Sequence, residues 1–189
     1  GSSAELATEG SLVIRATDTI SNQEQAAIYA EGSIDLRGRV LENSALINAK
    51  ENLLIGYGDQ QFDRVTNTGS EALLAAGGAI AIGATDEISN EDQAAIYAEG
   101  TIQLDSGRTI VNSGRSVIEG QDVVLRTAQQ VASEVEGEAP TIVAIDGSSI
   151  INEESLIYSR GNTSITTDQF TNWRGDDFIS DVQIGVDAP

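Results

Sequence analysis

Residues 16–32 read ATDTISNQEQAAIYAEG and residues 84–100 read ATDEISNEDQAAIYAEG, so 14 of 17 positions are identical at an offset of 68. Duplication this close marks a chain built from repeating units. The offset is too long for one strand-and-turn step, and a shorter period lies inside it. An Asn follows an apolar residue by two places at Ile20/Asn22, Leu41/Asn43, Val65/Asn67 and Ile88/Asn90, then at Ile110/Asn112, Ile150/Asn152 and Phe170/Asn172. The successive spacings are 21, 24, 23, 22, 40 and 20 residues.

Each Asn is followed by turn-like residues and a short apolar segment. These segments are Ile28/Ala30, Ile47/Ala49, Leu74, Ile96/Ala98, Ile118, Leu156/Tyr158 and Phe178. A corner comes next, written Glu-Gly or Glu-Asn at 9–10, 31–32, 51–52, 99–100 and 119–120. An alternating segment follows each corner, as in Ile34/Leu36, Leu53/Ile55, Ile80/Ile82, Ile102/Leu104 and Val123/Leu125. Period-2 alternation in runs of a few residues, broken by polar corners and rich in β-branched side chains, predicts strands. No 3.6-residue apolar stripe is sustained. Units of 20–24 residues with about three short strands cannot bury an apolar face alone, so they must stack, each strand pairing with its counterpart one unit away.

The expected fold is therefore all-β: a parallel (right-handed) β-helix of about seven coils, roughly 34 Å long at one strand spacing per coil. The residues Asn22, Asn43, Asn67, Asn90, Asn112, Asn152 and Asn172 then stack at one corner, where each amide supplies its neighbour's hydrogen-bonding partner. Asn is also a common turn residue, but seven in register behind an apolar residue favour the ladder. The expected boundaries are a lead-in over 1–9 beginning with a cloning-like Gly1-Ser2-Ser3, one solenoid domain over 10–186, and a tail over 187–189.

Two stretches break the period. The 40-residue spacing contains Thr127–Gly147, which reads as a hairpin beside the solenoid, the alternative being an eighth coil without its Asn. Pro140 suits an edge. The acidic turn of that insertion carries Glu134, Glu136 and Glu138, and a smaller bulge at 57–64 is expected to carry Tyr57 and Phe62 outward. Loops on a rigid scaffold are where recognition concentrates, so these six residues form the candidate partner-binding set. The last coil gathers Phe170, Trp173 and Phe178, either as a plug on an open end or as ordinary core.

Composition removes many chemistries. The 189 residues hold 30 Asp plus Glu against 10 Lys plus Arg, a net charge of −20, with no His, Cys or Met. No imidazole base, thiolate or common zinc, haem or iron–sulfur ligand set is available, and no metal site or cofactor is expected. The charge disfavours nucleic acid and anionic membranes as partners, and no apolar run is long enough to insert in a bilayer. Carboxylates are the remaining catalytic candidates: Asp176, Asp177 and Asp181 in the last coil, Glu91-Asp92 and Glu153-Glu154 in turns. Their cations are scattered, so no catalytic residue and no enzyme is expected. The alternative is a carbohydrate-active β-helix, a lyase or tailspike-like glycosidase. Corner Glu residues in register would form like-charge columns that collect cations weakly or simply face solvent. The EF-hand pattern is lacking.

The stretch from Val111-Asn-Ser-Gly to Val123-Val-Leu125 resembles the haemagglutinin repeats of filamentous-haemagglutinin-type exoproteins. Val65-Thr-Asn-Thr-Gly69 with Leu74-Ala-Ala-Gly-Gly-Ala-Ile80 fits the same scheme. Gln-Glu-Gln and Glu-Asp-Gln replace the glycine of that scheme after Asn22 and Asn90. The resemblance implies a Gram-negative protein secreted through a two-partner outer-membrane transporter and displayed on the cell surface. It would be an adhesin or the stalk of a contact-dependent growth-inhibition toxin, meeting a host or bacterial receptor. The secretion-domain Asn-Pro-Asn motif is missing, which points to the repeat shaft.

Overall fold

The computed structural model describes residues 4–58, 61–131 and 141–174, and the chain there is a parallel β-solenoid of seven coils. Coil one comprises β1 (Glu5–Thr8), β2 (Leu12–Arg15) and β3 (Thr19–Asn22). Coil two comprises β4 (Ala27–Ala30), β5 (Ile34–Arg37) and β6 (Val40–Asn43). Coil three comprises β7 (Leu46–Ala49), β8 (Leu53–Ile55) and β9 (Phe62–Thr68). In coil four, β10 (Leu73–Ala76) leads into one long strand, β11 (Ile80–Glu91), which spans two faces. Coil five comprises β12 (Ala95–Ala98), β13 (Ile102–Ser106) and β14 (Thr109–Ser113). Coil six runs through β15 (Val117–Gly120) and β16 (Val123–Arg126), leaves the solenoid as β17 (Ala128–Val131) and β18 (Thr141–Ala144), and returns as β19 (Ser149–Glu153). Coil seven comprises β20 (Leu156–Ser159), β21 (Thr163–Thr166) and β22 (Gln169–Trp173).

Three faces result. Face one is the seven-stranded sheet β1-β4-β7-β10-β12-β15-β20. Face two stacks β2, β5, β8, the first part of β11, β13, β16 and β21. Face three stacks β3, β6, β9, the second part of β11, β14, β19 and β22. Alternation places one side of every strand inside, and register turns that into columns. Ile28, Ile47, Leu74, Ile96 and Ile118 stack on face one. Leu41, Val65, Ile88, Ile110 and Ile150 stack on face three. All of these are buried in one continuous core. Each core residue thus packs against its equivalents above and below as well as across the coil, and burial of that apolar surface is the main stabilising term.

Within the insertion, β17 and β18 pair antiparallel from Ala128↔Ala144 to Val131↔Thr141, as a hairpin requires. It leaves at the corner between faces two and three. Coil five crosses the same corner with Ser106, Gly107 and Arg108 alone, since Asp105 pairs with Arg126 and Thr109 with Ser149. The described strands of the insertion pair with each other in a sheet of their own, which makes it an excursion from the solenoid.

Three sequence expectations are corrected by register. The inward residue of β20 is Ile157, paired with Ile118, whereas Leu156 and Tyr158 point outward and are 37% and 46% exposed. The turn after Asn152 is one residue shorter than that after Asn112, and a one-residue slip exchanges the faces of a strand. Glu119 and Gly120 do not form a corner: both belong to β15, where buried Gly120 continues the column of small inward residues Ala30, Ala49, Ala76 and Ala98. The corner glutamates do not form a like-charge column either. The amides of Glu31, Lys50, Gly77 and Glu99 occupy successive rungs in coils two to five, bonding the carbonyls of Thr8, Ala30, Ala49 and Ala76, and that of Arg160 in coil seven bonds Gly120. Glu51 lies one place further along, bonding Gly32.

Candidate functional site

The Asn ladder is continuous. Asn22 Nδ2 donates to Asn43 Oδ1 at 2.8 Å, and the chain proceeds through Asn67 at 2.7 Å and Asn90, Asn112, Asn152 and Asn172 at 2.8 Å each. From Asn22 to Asn152 the second proton of each amide goes to a backbone carbonyl near the start of face one: Leu46 for Asn22, Ala45 for Asn43, Ala95 for Asn67, Val117 for Asn90, Leu156 for Asn112 and Ser155 for Asn152. Asn67, Asn90 and Asn112 are wholly buried, so every polar atom taken from water there regains a partner. These residues are architecture, fixing the register of seven coils.

Two places after five of these Asn residues the backbone turns left-handed. Gly69 (φ 100°) and Gly114 (φ 67°) hold that position in two coils, but Glu24 (φ 60°), Asp92 (φ 57°) and Glu154 (φ 50°) hold it in three others. The glycine of the Asn-x-Gly pattern has this conformational cause. A side chain in its place costs about 1–2 kcal/mol, least for Asp.

Of the candidate partner-binding residues, Tyr57 is 48% exposed, as expected of a loop contact. Phe62 is not: it is fully buried at the first position of β9. Its ring fills the corner of coil three beside Gly56 and Gly38. A Cβ at Gly56 (φ +57°) would sit 2.6 Å from the ring and 2.7 Å from the carbonyl of Gly83. Phe62 therefore substitutes for the tight turn that coil three lacks, and it is core. Glu134, Glu136, Glu138 and Pro140 lie outside the described residues, as do Phe178, Asp176, Asp177 and Asp181. Phe170 and Trp173 stand on β22, 40% and 53% exposed, with no described strand stacked beyond them.

The base of the hairpin is tied by hydrogen bonds. Buried Thr127 bonds Ser148 Oγ at 2.8 Å and donates to Thr167 Oγ1 at 2.7 Å, and Ser148 Oγ donates to the Thr127 carbonyl at 3.1 Å. The Ile145 amide also bonds the Thr127 carbonyl at 3.0 Å. This hydroxyl cluster closes the core where the chain departs.

A shallow groove of about 460 Å³ runs across face three of the central coils. Its wall carries Glu42, Thr66 and Ser89 in one cross-coil column and Arg64 and Glu87 in the next, with Glu91 at its end. Burial raises the pKa of Glu91, helped by the charges of Glu87 and Asp92 and opposed by the hydrogen bond from Ser113. Arg64 makes no ion pair among the described residues. The trough can hydrogen-bond a hydroxyl-rich ligand. Sequence reading singled out only Glu91 of this set, because Glu42, Thr66, Ser89, Arg64 and Glu87 are ordinary polar outward positions, one or three places before a ladder Asn, and only stacking brings them together.

Cations are set singly among the acids. Lys50 Nζ lies 3.7 Å from Glu31, which also accepts a hydrogen bond from Tyr29, and the Glu31 charge raises the Lys50 pKa. Arg160 donates to the carbonyls of Ala98 and Glu99 at 3.2 Å each. Among the described residues no group of three or more Asp or Glu is arranged to hold a metal ion, and no helix is long and apolar enough to cross a membrane. No family model, curated protein or solved structure matches this chain. The haemagglutinin-repeat resemblance accordingly rests on the quoted motifs alone.

Proposed function

We propose that this chain is a segment of the rigid shaft of a large bacterial surface protein, holding an adhesive or toxic tip away from the cell and carrying recognition elements on its sides. The observation that supports this reading best is the unbroken stacking of seven coils with one Asn ladder from Asn22 to Asn172. Such a solenoid resists bending because every rung is fixed to both neighbours, and it can grow coil by coil during export without an energy source at the outside of the cell. Secretion by a two-partner outer-membrane transporter, display on a Gram-negative surface and a receptor on a host or bacterial cell belong to the same proposal.

The test is binding of the labelled protein to panels of intact bacterial and epithelial cells, beside a variant without the hairpin. Coil five supplies the design: replacing residues 128–147 by a single Gly reproduces its corner and keeps Thr127 and Ser148 in place. Saturable binding lost with the hairpin makes this a recognition-bearing shaft. Binding that survives the replacement moves recognition to another surface.

The groove of face three favours a second reading, a carbohydrate-active β-solenoid using Glu87 and Glu91. Release of reducing or unsaturated ends from a polysaccharide panel, abolished in Glu87→Gln and Glu91→Gln, would establish it and displace the shaft.

A further inference from the structure

Alternation on a half-buried strand ordinarily leaves polar residues outside. Face one breaks that rule. Each of its seven strands has two outward positions, and in all of them the charged residues are Glu5 and Glu119 alone. Leu46, Leu73, Val117 and Leu156 lie in one outward column, with Ala95 between Leu73 and Val117 and Ala27 before Leu46. The neighbouring column holds Tyr29, Tyr97 and Tyr158. Face two differs: its outward positions carry paired charges, Arg37 with Asp35 and Arg126 with Asp105. A chain of net charge −20 has thus kept one flat face almost free of charge. The described strands of the hairpin, β17 and β18, leave from the opposite corner.

The margins of this face are acidic. Glu24, Glu71, Asp92 and Glu154 border its entry edge against the single cation Arg115, and Glu9, Glu31, Glu51 and Glu99 lie along its exit edge against Lys50 and Arg160, so both edges keep a net negative charge. Glu24, Asp92 and Glu154 hold the left-handed corner position that glycine occupies in two other coils. Acid stands there against backbone preference. Residues held in unfavourable backbone regions tend to serve recognition.

We propose that face one is a docking surface for a protein partner that presents an apolar centre flanked by Lys and Arg. Charge selects this occupant. A second copy would set acidic margin against acidic margin, and like-charge juxtaposition disfavours that pairing. A partner with basic flanks meets apolar surface at the centre and carboxylates on both sides. The face measures about 34 by 13 Å, roughly 440 Å², from the strand spacing and rise. That footprint belongs to weak, transient contacts, with salt-dependent association. The proposal goes beyond the shaft reading and stands or falls separately from it.

A labelled peptide Lys-Lys-Leu-Thr-Leu-Thr-Leu-Lys-Lys, long enough to cross the face with a basic end over each margin, serves as the probe. Its binding to the whole chain is followed by fluorescence anisotropy. A peptide with Ser in place of each Leu controls for attraction to net charge. The expected result is saturable binding of the Leu peptide, at least tenfold weaker for the Ser peptide and for Leu73→Glu. A variant combining Glu24→Gln, Glu71→Gln, Asp92→Asn and Glu154→Gln should also weaken it several-fold and flatten its salt dependence. Leu73 is an outward, half-buried strand position and the four acids lie in turns or bends, so the circular dichroism of both variants should match the parent. Equal binding of the two peptides, unchanged binding by Leu73→Glu, or no saturation at millimolar peptide would overturn the proposal. So would sedimentation showing a dimer that Leu73→Glu dissolves, which would make the occupant a second copy.

Discussion

The two near-identical segments, 16–32 and 84–100, take different structures. Both turn at a ladder Asn, both place a left-handed acid two residues later, and both send Ile28 or Ile96 inward. Yet Ala16, Thr17 and Asp18 form a bend between β2 and β3, whereas Ala84, Thr85 and Asp86 lie inside the single strand β11. Ala84 is fully buried and Ala16 only partly so. The Ala84–Glu91 part of the second segment, in coil four, has coil three on one side and coil five on the other, and its Ala84 pairs with Phe62. In the first segment, Ala16–Asn22 belongs to coil one, which has a described coil on one side only. Nearly the same residues therefore choose the same path and different burial. Path is local; burial is supplied by the neighbours.

The largest test of that contrast is Phe62→Ala. It should cost about 3–5 kcal/mol in denaturant unfolding, since it empties the corner against which the second segment packs. Hydrogen exchange should speed at Ala84–Glu87 and leave Ala16–Thr19 unchanged; uniform acceleration would show that the corner is not a local unit. Next comes the ladder. Asn90→Ala removes a rung with a partner on each side and should cost about 1–3 kcal/mol. Asn22→Ala, which takes away the donor to Asn43 alone among the rungs, should cost about half as much, and equal midpoint losses would break the link between burial and neighbours.

A gain is expected from Ser116→Ala. Ser116 is fully buried and its hydroxyl has no hydrogen-bond partner among the described residues, while the two segments place Ala26 and Ala94 at the equivalent corner. Restoring Ala should add about 1 kcal/mol, read as a higher urea midpoint. The smallest effect is pH-dependent. Glu91 in the second segment stands where the first has Gln23, and its raised pKa means that the folded state holds the proton more tightly than the unfolded chain. Stability from that proton is fully present below the ordinary carboxylate range and lost as pH rises through the folded value. Glu91→Gln should therefore raise the midpoint at neutral pH, with the gain fading below about pH 4. An increment that persists in acid would assign the effect to something other than ionisation.

Much of the architecture was legible because stacking leaves a periodic trace. The Asn spacing located every rung, and the 40-residue gap located the hairpin, since an insertion shows as extra length between fixed marks. The errors are of one kind. Phe62 looked like a loop aromatic, Leu156 and Tyr158 looked inward, and Glu51 looked aligned with Glu31. Each is a register error of a residue or a turn, and with a side-chain period of 2 such a shift exchanges inside for outside.

By itself the sequence determined the coil length, the corner at each Asn and the alternating strands, because turn chemistry and apolar period act over a few residues. Only the tertiary structure decided which outward residues share a surface: the polar trough of face three and the uncharged face one with its acidic margins. Those surfaces join residues about 20 or more positions apart in the chain, and their adjacency exists only once the coils have stacked.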